Sequence, residues 1–244
     1  MIVAALVLLA VGVADLIRQF VSDRRRWMGL TIAGAAIVVL GILAGAWLAG
    51  LLAIVFAILW VWLMPSHHAG RGGFWPVVVL GMICAGFVAA LGTRPEAGVI
   101  GAVWNLPSPV GHITFDQSLF VIGTVCFLLE SANVVVRAAL SEEHVSGAQA
   151  IDGESEGDAV AQPGLKGGRL IGPLERVLVF ALTLSGIVGL LAAILAAKGI
   201  VRFPEISRDR DNGNRAEYFL VGSLVSWTIA LAAAFLVWWG TASS

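Results

Sequence analysis

The sequence is poor in charged residues. Only 13% of its 244 residues are Asp, Glu, Lys or Arg, whereas 59% are hydrophobic. Soluble domains carry roughly a quarter charged residues, so this chain lacks the polar surface that a water-soluble fold needs. The formal net charge of −1 gives no sign of nucleic-acid binding. We therefore expect a membrane protein that has no soluble catalytic domain of ordinary size.

Catalytic and metal-binding motifs are also lacking. The two cysteines, Cys84 and Cys126, fall in apolar runs, where a thiol acts as small apolar filler, and no zinc-type Cys/His spacing is present. The adjacent His67 and His68 have no further ligands near them, and GRGG at 70–73 lacks the lysine of a phosphate-binding loop. The sequence therefore predicts no catalytic residue, no metal and no cofactor.

What the sequence has instead is long apolar runs, and each bilayer crossing needs about 20 such residues. The run from Trp27 to Leu63 is too long for one crossing, so it predicts a helical hairpin that turns near Gly45 and Trp47. The predicted fold is all-α, a polytopic transmembrane helical bundle of about seven spans. These spans are residues 2–20, 27–45, 47–64, 74–92, 115–138, 173–198 and 217–239.

Charge in the loops predicts the domain organisation and orientation. Arg24, Arg25 and Arg26 follow the first span, which places the N-terminus outside and the C-terminus inside the cytoplasmic (inner) membrane. Residues 141–165 hold six acids and no Lys or Arg, which predicts a flexible cytoplasmic linker, or a docking site for a basic partner. We divide the chain into a five-span bundle (1–140), this linker (141–168) and a two-span hairpin (169–244).

Two polar faces interrupt the first and fifth spans. Glu130, Asn133 and Arg137 are spaced i, i+3, i+7 and so share one helix face, as do Asp15 and Arg18 in the first span. A charge facing lipid costs at least about 2.5 kcal/mol, so both faces should turn inward and meet. The predicted pairs are Asp15 with Arg137 and Glu130 with Arg18. Such a cluster serves either as a structural clamp or as a path for protons or cations.

The predicted sixth span carries small residues at every fourth position. Ser185, Gly189, Ala193 and Ala197 would form a smooth strip against which another helix packs closely, within this chain or in a homo-oligomer or partner. Lys198 and Arg202 follow at its end. They mark the membrane boundary or hold a lipid phosphate.

Three segments within residues 167–226 resemble the end of an uncharacterised family of bacterial integral membrane proteins. They are GGRLIGPLERVLVFALTL, AAKGIVRFPEIS and AEYFLVGSLVS. The resemblance implies a membrane location and no activity. It directs attention to charged and aromatic residues at the two ends of the predicted sixth span, which are Glu175, Arg176, Lys198, Arg202, Glu217 and Tyr218.

Three functions fit these patterns. The favoured hypothesis is a non-enzymatic scaffold, accessory or assembly subunit that acts by helix packing and whose partners are membrane lipids and other helices. The alternative is a small proton- or cation-coupled transporter or channel. A lipid-modifying enzyme is least favoured, because no nucleophile–base or carboxylate–metal set is evident.

Overall fold

A computed structural model describes residues 1–64, 74–92, 94, 98–104, 106–108, 111–148, 168–208 and 214–242. The described chain is 89% helical and all-α, as predicted. The larger helices are α1 (Ile2–Phe20), α2 (Asp23–Leu43), α3 (Trp47–Leu63) and α4 (Trp75–Leu91), followed by α6 (Phe115–Cys126), a π-helical segment (Phe127–Ser131), α7 (Ala132–Ala148), α8 (Gly168–Leu184), α9 (Val188–Arg208) and α10 (Asn214–Ala242). Between α4 and α6 lie the short helix α5 (Gly98–Val103) and a hairpin of β1 (Leu106–Ser108) and β2 (Gly111–Ile113).

Helix α1 occupies the centre of the bundle. Residues such as Leu6, Val7 and Val11 are fully buried, because α1 is apolar on every side from Ile2 to Ala14 and packs against α2, α3, α4 and α6. Gly12 and Gly123 allow the backbone of α1 to contact the backbones of α6 and the π-helical segment. A Cβ at Gly12 would lie 2.5 Å from the carbonyl carbon of Cys126, and one at Gly123 would lie 2.5 Å from the oxygen of Ala5. The core therefore depends on two positions without side chains.

The predicted hairpin over 27–64 is confirmed. Helices α2 and α3 are joined at Gly45, which has a φ of +67° that glycine adopts without strain. Gly41 packs against Gly50 of α3, so the small residues of α2 serve packing within the chain.

The predicted single helix over 173–198 is wrong, because α8 ends at Leu184 and α9 turns back. Gly186 has a φ of +69°, and the amides of Gly186 and Ile187 donate to the carbonyl oxygens of Thr183 and Leu182. This is the Schellman arrangement, which terminates a helix at a glycine. The turn shortens the predicted strip: Ser185 lies in the turn, whereas Gly189, Ala193 and Ala197 lie together on the exposed side of α9.

This turn changes which end of the bundle each later helix reaches. The nitrogen of Met1 donates to the carbonyl oxygen of Gly92, 2.9 Å away. We call the end of the bundle that holds these two residues the Met1 end. Helix α10 begins beside α7, where a Cβ at Gly222 would lie 3.5 Å from Leu140, and it finishes with Gly240 beside Phe120 and Val88. The first and last described helices therefore have their outer termini at the Met1 end. The opposite end, which holds Arg18 and Met64, is called the Arg18 end.

The connections between helices differ in part from the predictions. The predicted flexible linker was to begin at residue 141, whereas the backbone of α7 stays helical to Ala148. Residues 149–167 of that linker, and His67 and His68, lie outside the described residues. Between α4 and α6, Pro107 lies within strand β1, and Pro109 lies outside the described residues.

Candidate functional site: three buried polar clusters

Asp15 forms the first cluster within α1 and α3. Its carboxylate accepts a hydrogen bond from Arg18 at 2.9 Å and one from the indole nitrogen of Trp60 at 2.8 Å. Arg18 also donates to the carbonyl oxygen of Met64, at the end of α3. Nearby, the hydroxyl group of Ser131 donates to the carbonyl oxygen of Val11 of α1, 3.4 Å away. Asp15 is 2% exposed, so this carboxylate is buried with its partners around it.

Glu130 forms the second cluster at the π-helical segment. One carboxylate oxygen accepts from the side-chain amide of Asn133 at 3.1 Å. The other lies 3.5 Å from a guanidinium nitrogen of Arg137 and accepts no hydrogen bond from the described residues. Glu130 is 4% exposed, whereas the side chain of Arg137 is 52% exposed. Glu130 is therefore buried but less completely satisfied than Asp15.

Arg176 of α8 joins the second cluster from the other side. It is 2% exposed and donates to the carbonyl oxygen of Leu128 at 3.0 Å, to the hydroxyl group of Ser226 at 3.2 Å and to the side-chain oxygen of Asn133. Asn133 thus connects the guanidinium group of Arg176 to the carboxylate of Glu130. Arg176 thereby ties α8 to the π-helical segment and to α10.

Glu175 forms the third cluster, between α8, α9 and α10. Its carboxylate accepts from the ammonium group of Lys198 at 2.6 and 2.7 Å and from the indole nitrogen of Trp227 at 2.8 Å. The ammonium group also lies 5.3 Å from the centre of the Trp227 ring, within the range of a cation–π contact. The prediction that Glu175 and Lys198 mark opposite ends of one helix is therefore wrong.

The clusters confirm that the predicted polar faces turn inward, since Asp15, Arg18 and Glu130 are all buried. Both predicted pairings are wrong. Each carboxylate is paired with an arginine of its own helical stretch, Asp15 with Arg18 and Glu130 with Arg137. A partner three or seven residues away is already on the same face, so the pair forms without the two faces having to align across helices.

Sequence reasoning missed the residues that complete these clusters. Trp60 lies near the end of the predicted third span, where an indole also fits the membrane interface, but it is 3% exposed and donates to Asp15. Ser131 and Ser226 carried no signal, because serine is common in membrane helices. Trp227 did carry one, since it lies in the middle of the predicted seventh span, away from the interface that an indole prefers, and its indole nitrogen donates to Glu175. The side chains of Arg202, Glu217 and Tyr218 lie outside the described part of the structure.

A further ion pair, between Arg94 and Asp116, lies at the Met1 end. Arg94 donates two hydrogen bonds to the buried carboxylate of Asp116, at 3.0 and 3.2 Å, and a third to the carbonyl oxygen of Ala44 at the end of α2. Bidentate pairing of this kind holds two chain segments in a fixed orientation. Arg94 therefore joins the ends of α2 and α4 to the start of α6.

The chemistry available to these clusters is limited. Within the described ranges no group of three or more His, Cys, Asp or Glu side chains is placed to hold a metal ion. Comparison with known protein families, with curated protein sequences and with solved structures finds no match to this chain. The arrangement of the clusters is therefore what carries the functional argument.

Proposed function

We propose that this protein is an integral membrane protein of the cytoplasmic (inner) membrane, in which eight helices cross the bilayer. Four described helical stretches are long and apolar enough to span, and three shorter ones are apolar; the eighth helix, α8, exposes Leu170, Leu174 and Leu178. Large apolar side chains are exposed around the bundle, as lipid contact requires. Exposed tryptophans, which prefer the membrane interface, support both boundaries. Trp27, Trp62 and Trp75 lie toward the Arg18 end, and Trp47 and Trp238 lie toward the Met1 end.

The proposal also assigns an orientation. Among the described Lys and Arg residues, Arg94 stands alone at the Met1 end, while the others lie in the half of the bundle toward the Arg18 end. The positive-inside rule then places the Arg18 end in the cytoplasm and the Met1 end outside. The C-terminus moves from the cytoplasmic side, where the seven-span prediction had put it, to the outside. The basic residues of α9 and α10 then lie toward the cytoplasmic side, in agreement with the rule.

We propose further that the protein acts through helix packing, as a scaffold, accessory or assembly subunit, and not as an enzyme. The observation that carries this is the pairing of Asp15 and Glu175. Each is bonded to a cation and to an indole of a neighbouring helix, so neither is left open to a substrate. Such pairs fix which helices meet and in what register. The exposed face of α9, with Gly189, Ala193 and Ala197, is the surface on which an assembly role would depend.

Photo-crosslinking in membranes tests the assembly role. A single cysteine at Ala193, in a chain whose Cys84 and Cys126 are replaced by alanine, is labelled with a benzophenone maleimide. We expect one discrete adduct, with a second copy of the chain or with one other protein, because a smooth helix face allows close approach. The matched control is Ala35→Cys on the exposed side of α2, which should give only lipid adducts. Equal products from both sites, or none from Ala193, would contradict the assembly role.

One observation favours the alternative, a proton- or cation-coupled transporter or channel. Glu130 belongs to the π-helical segment, and its second carboxylate oxygen is buried and accepts no hydrogen bond from the described residues. Segments of π-helix occur frequently at functional sites. The test is proton flux into proteoliposomes. The packing role predicts the same flux as empty vesicles for the wild type and for Glu130→Gln, whereas transport predicts a flux that Glu130→Gln abolishes.

A further inference from the structure

The start of α2 combines exposed positive charge with an exposed apolar surface. Arg24 and Arg25 are exposed and form no ion pair with any residue in the described ranges. Asp23 does not neutralise them, because its carboxylate lies 2.7 Å from a guanidinium nitrogen of Arg26. The first turn of α2 therefore presents two uncompensated cations at the perimeter of the bundle.

An apolar track runs along α2 from these arginines. Met28, Ile32, Ala35 and Val39 follow Arg24 at spacings of three and four residues, so they lie on one face of the helix. All four are exposed, Met28 by 62% and Ile32 by 67%. The opposite side of α2, with Ile37 and Gly41, packs against the bundle. The track is thus a lipid-facing stripe of about 16 Å, from the 1.5 Å rise of each helical residue between residues 28 and 39.

An aromatic residue marks the level at which charge gives way to the apolar track. Trp27 is 79% exposed and follows the arginines directly. An indole prefers the headgroup region, where its ring lies in apolar surroundings and its N–H bonds to polar groups. Arg24 and Arg25 then stand at the depth of the lipid phosphates, with the track beneath them at the depth of the acyl chains.

We propose that the start of α2 binds one anionic phospholipid. The phosphate and the net negative headgroup lie against Arg24 and Arg25, the glycerol region lies beside Trp27, and an acyl chain lies along Met28, Ile32 and Ala35. The cytoplasmic leaflet, where the proposed orientation puts this end, is the leaflet that attracts basic segments through its anionic lipids. The inference rests on the proposed membrane placement, and it adds the class of lipid and its position.

The test is native mass spectrometry of the full chain in mild detergent, titrated with phosphatidylglycerol or with phosphatidylcholine. We expect a first phosphatidylglycerol to bind more tightly than phosphatidylcholine. Replacing both arginines, Arg24→Gln with Arg25→Gln, should weaken that first site about 30-fold, from the attraction of two cations to an anionic lipid. Arg24→Lys with Arg25→Lys keeps the charges and should retain most of the affinity.

The matched control removes the same charge elsewhere at the same end of the bundle, with Arg208→Gln and Arg215→Gln in α9 and α10. It should leave the first phosphatidylglycerol site unchanged. Equal losses in both double variants would overturn the site and leave only a diffuse charge effect. Full displacement of the lipid by soluble glycerol phosphate would overturn the role of the apolar track. Either failure leaves the membrane placement intact, whereas recovery of the chain without detergent would overturn both.

Discussion

Replacement of Gly12 by alanine is expected to destabilise the bundle by about 3 kcal/mol, at the upper end of the usual cost of overpacking. The added methyl group would lie 2.5 Å from the carbonyl carbon of Cys126 and 2.6 Å from the nitrogen of Phe127. Both are backbone atoms, which cannot move aside as a flexible side chain can. Helix α1 would have to separate from α6 and the π-helical segment, and α1 is the centre of the core. Thermal unfolding in mild detergent, followed by size-exclusion chromatography, measures the loss.

Gly81→Ala is the matched control for Gly12→Ala. Gly81 also lies within an apolar helix, α4, but a Cβ there would meet no described atom within 4 Å. Alanine has the higher helix propensity, so the control should be neutral or slightly stabilising. If the two variants unfolded at the same temperature, the close approach of α1 to residues 126–127 would be refuted.

Replacement of Arg176 by methionine should destabilise the protein by about 3–5 kcal/mol, the cost of breaking a buried charge cluster by removing one member. The carbonyl oxygen of Leu128 and the side chains of Asn133 and Ser226 would all lose their donor. Glu130 would also lose the nearby positive charge of a fully buried guanidinium group. Chemical unfolding in detergent, followed by tryptophan fluorescence, measures the change in the free energy of unfolding.

Two further variants separate the charge effect from packing. Arg137→Met removes the other arginine near Glu130, but that side chain is 52% exposed, so the loss should stay below about 1 kcal/mol. Adding Glu130→Gln to Arg176→Met should restore part of the lost stability, since the buried carboxylate that lost the charge of Arg176 is then neutral. An Arg176→Met protein as stable as the wild type, or no coupling with Glu130→Gln, would contradict the assigned role of Arg176.

Much of the fold follows from the amino-acid sequence, because apolar runs of this length are typical of helices. Such runs predicted α1, the hairpin of α2 and α3, α4, the helix over 115–138 and α10, and helices form at each of those places. The inward turn of Asp15 and Glu130 followed from the expected membrane placement, since an ionised group facing acyl chains is costly. The break at Ser185–Gly186 was missed. The only local signal was Gly186 within an apolar run, and membrane helices tolerate many such glycines.

The partners of the buried charges were not predictable. The choice between Asp15 with Arg18 and Asp15 with Arg137 depends on how the helices rotate, and apolar packing decides that rotation. Likewise, Glu175 meets Lys198 only because α9 turns back along α8. No local pattern links Trp60 to Asp15 across 45 residues, since an indole fits equally well at a membrane boundary.

The sequence by itself determined that this protein is helical, that most of its residues are hydrophobic and that Asp15 and Glu130 are buried, because those properties depend on composition and local periodicity. The tertiary structure decided which charges pair, that the predicted sixth helix is two, and that the first and last helices share one end of the bundle. These depend on one glycine-terminated turn and on backbone contacts at Gly12 and Gly123. They arise from packing between distant segments, which a local pattern does not encode.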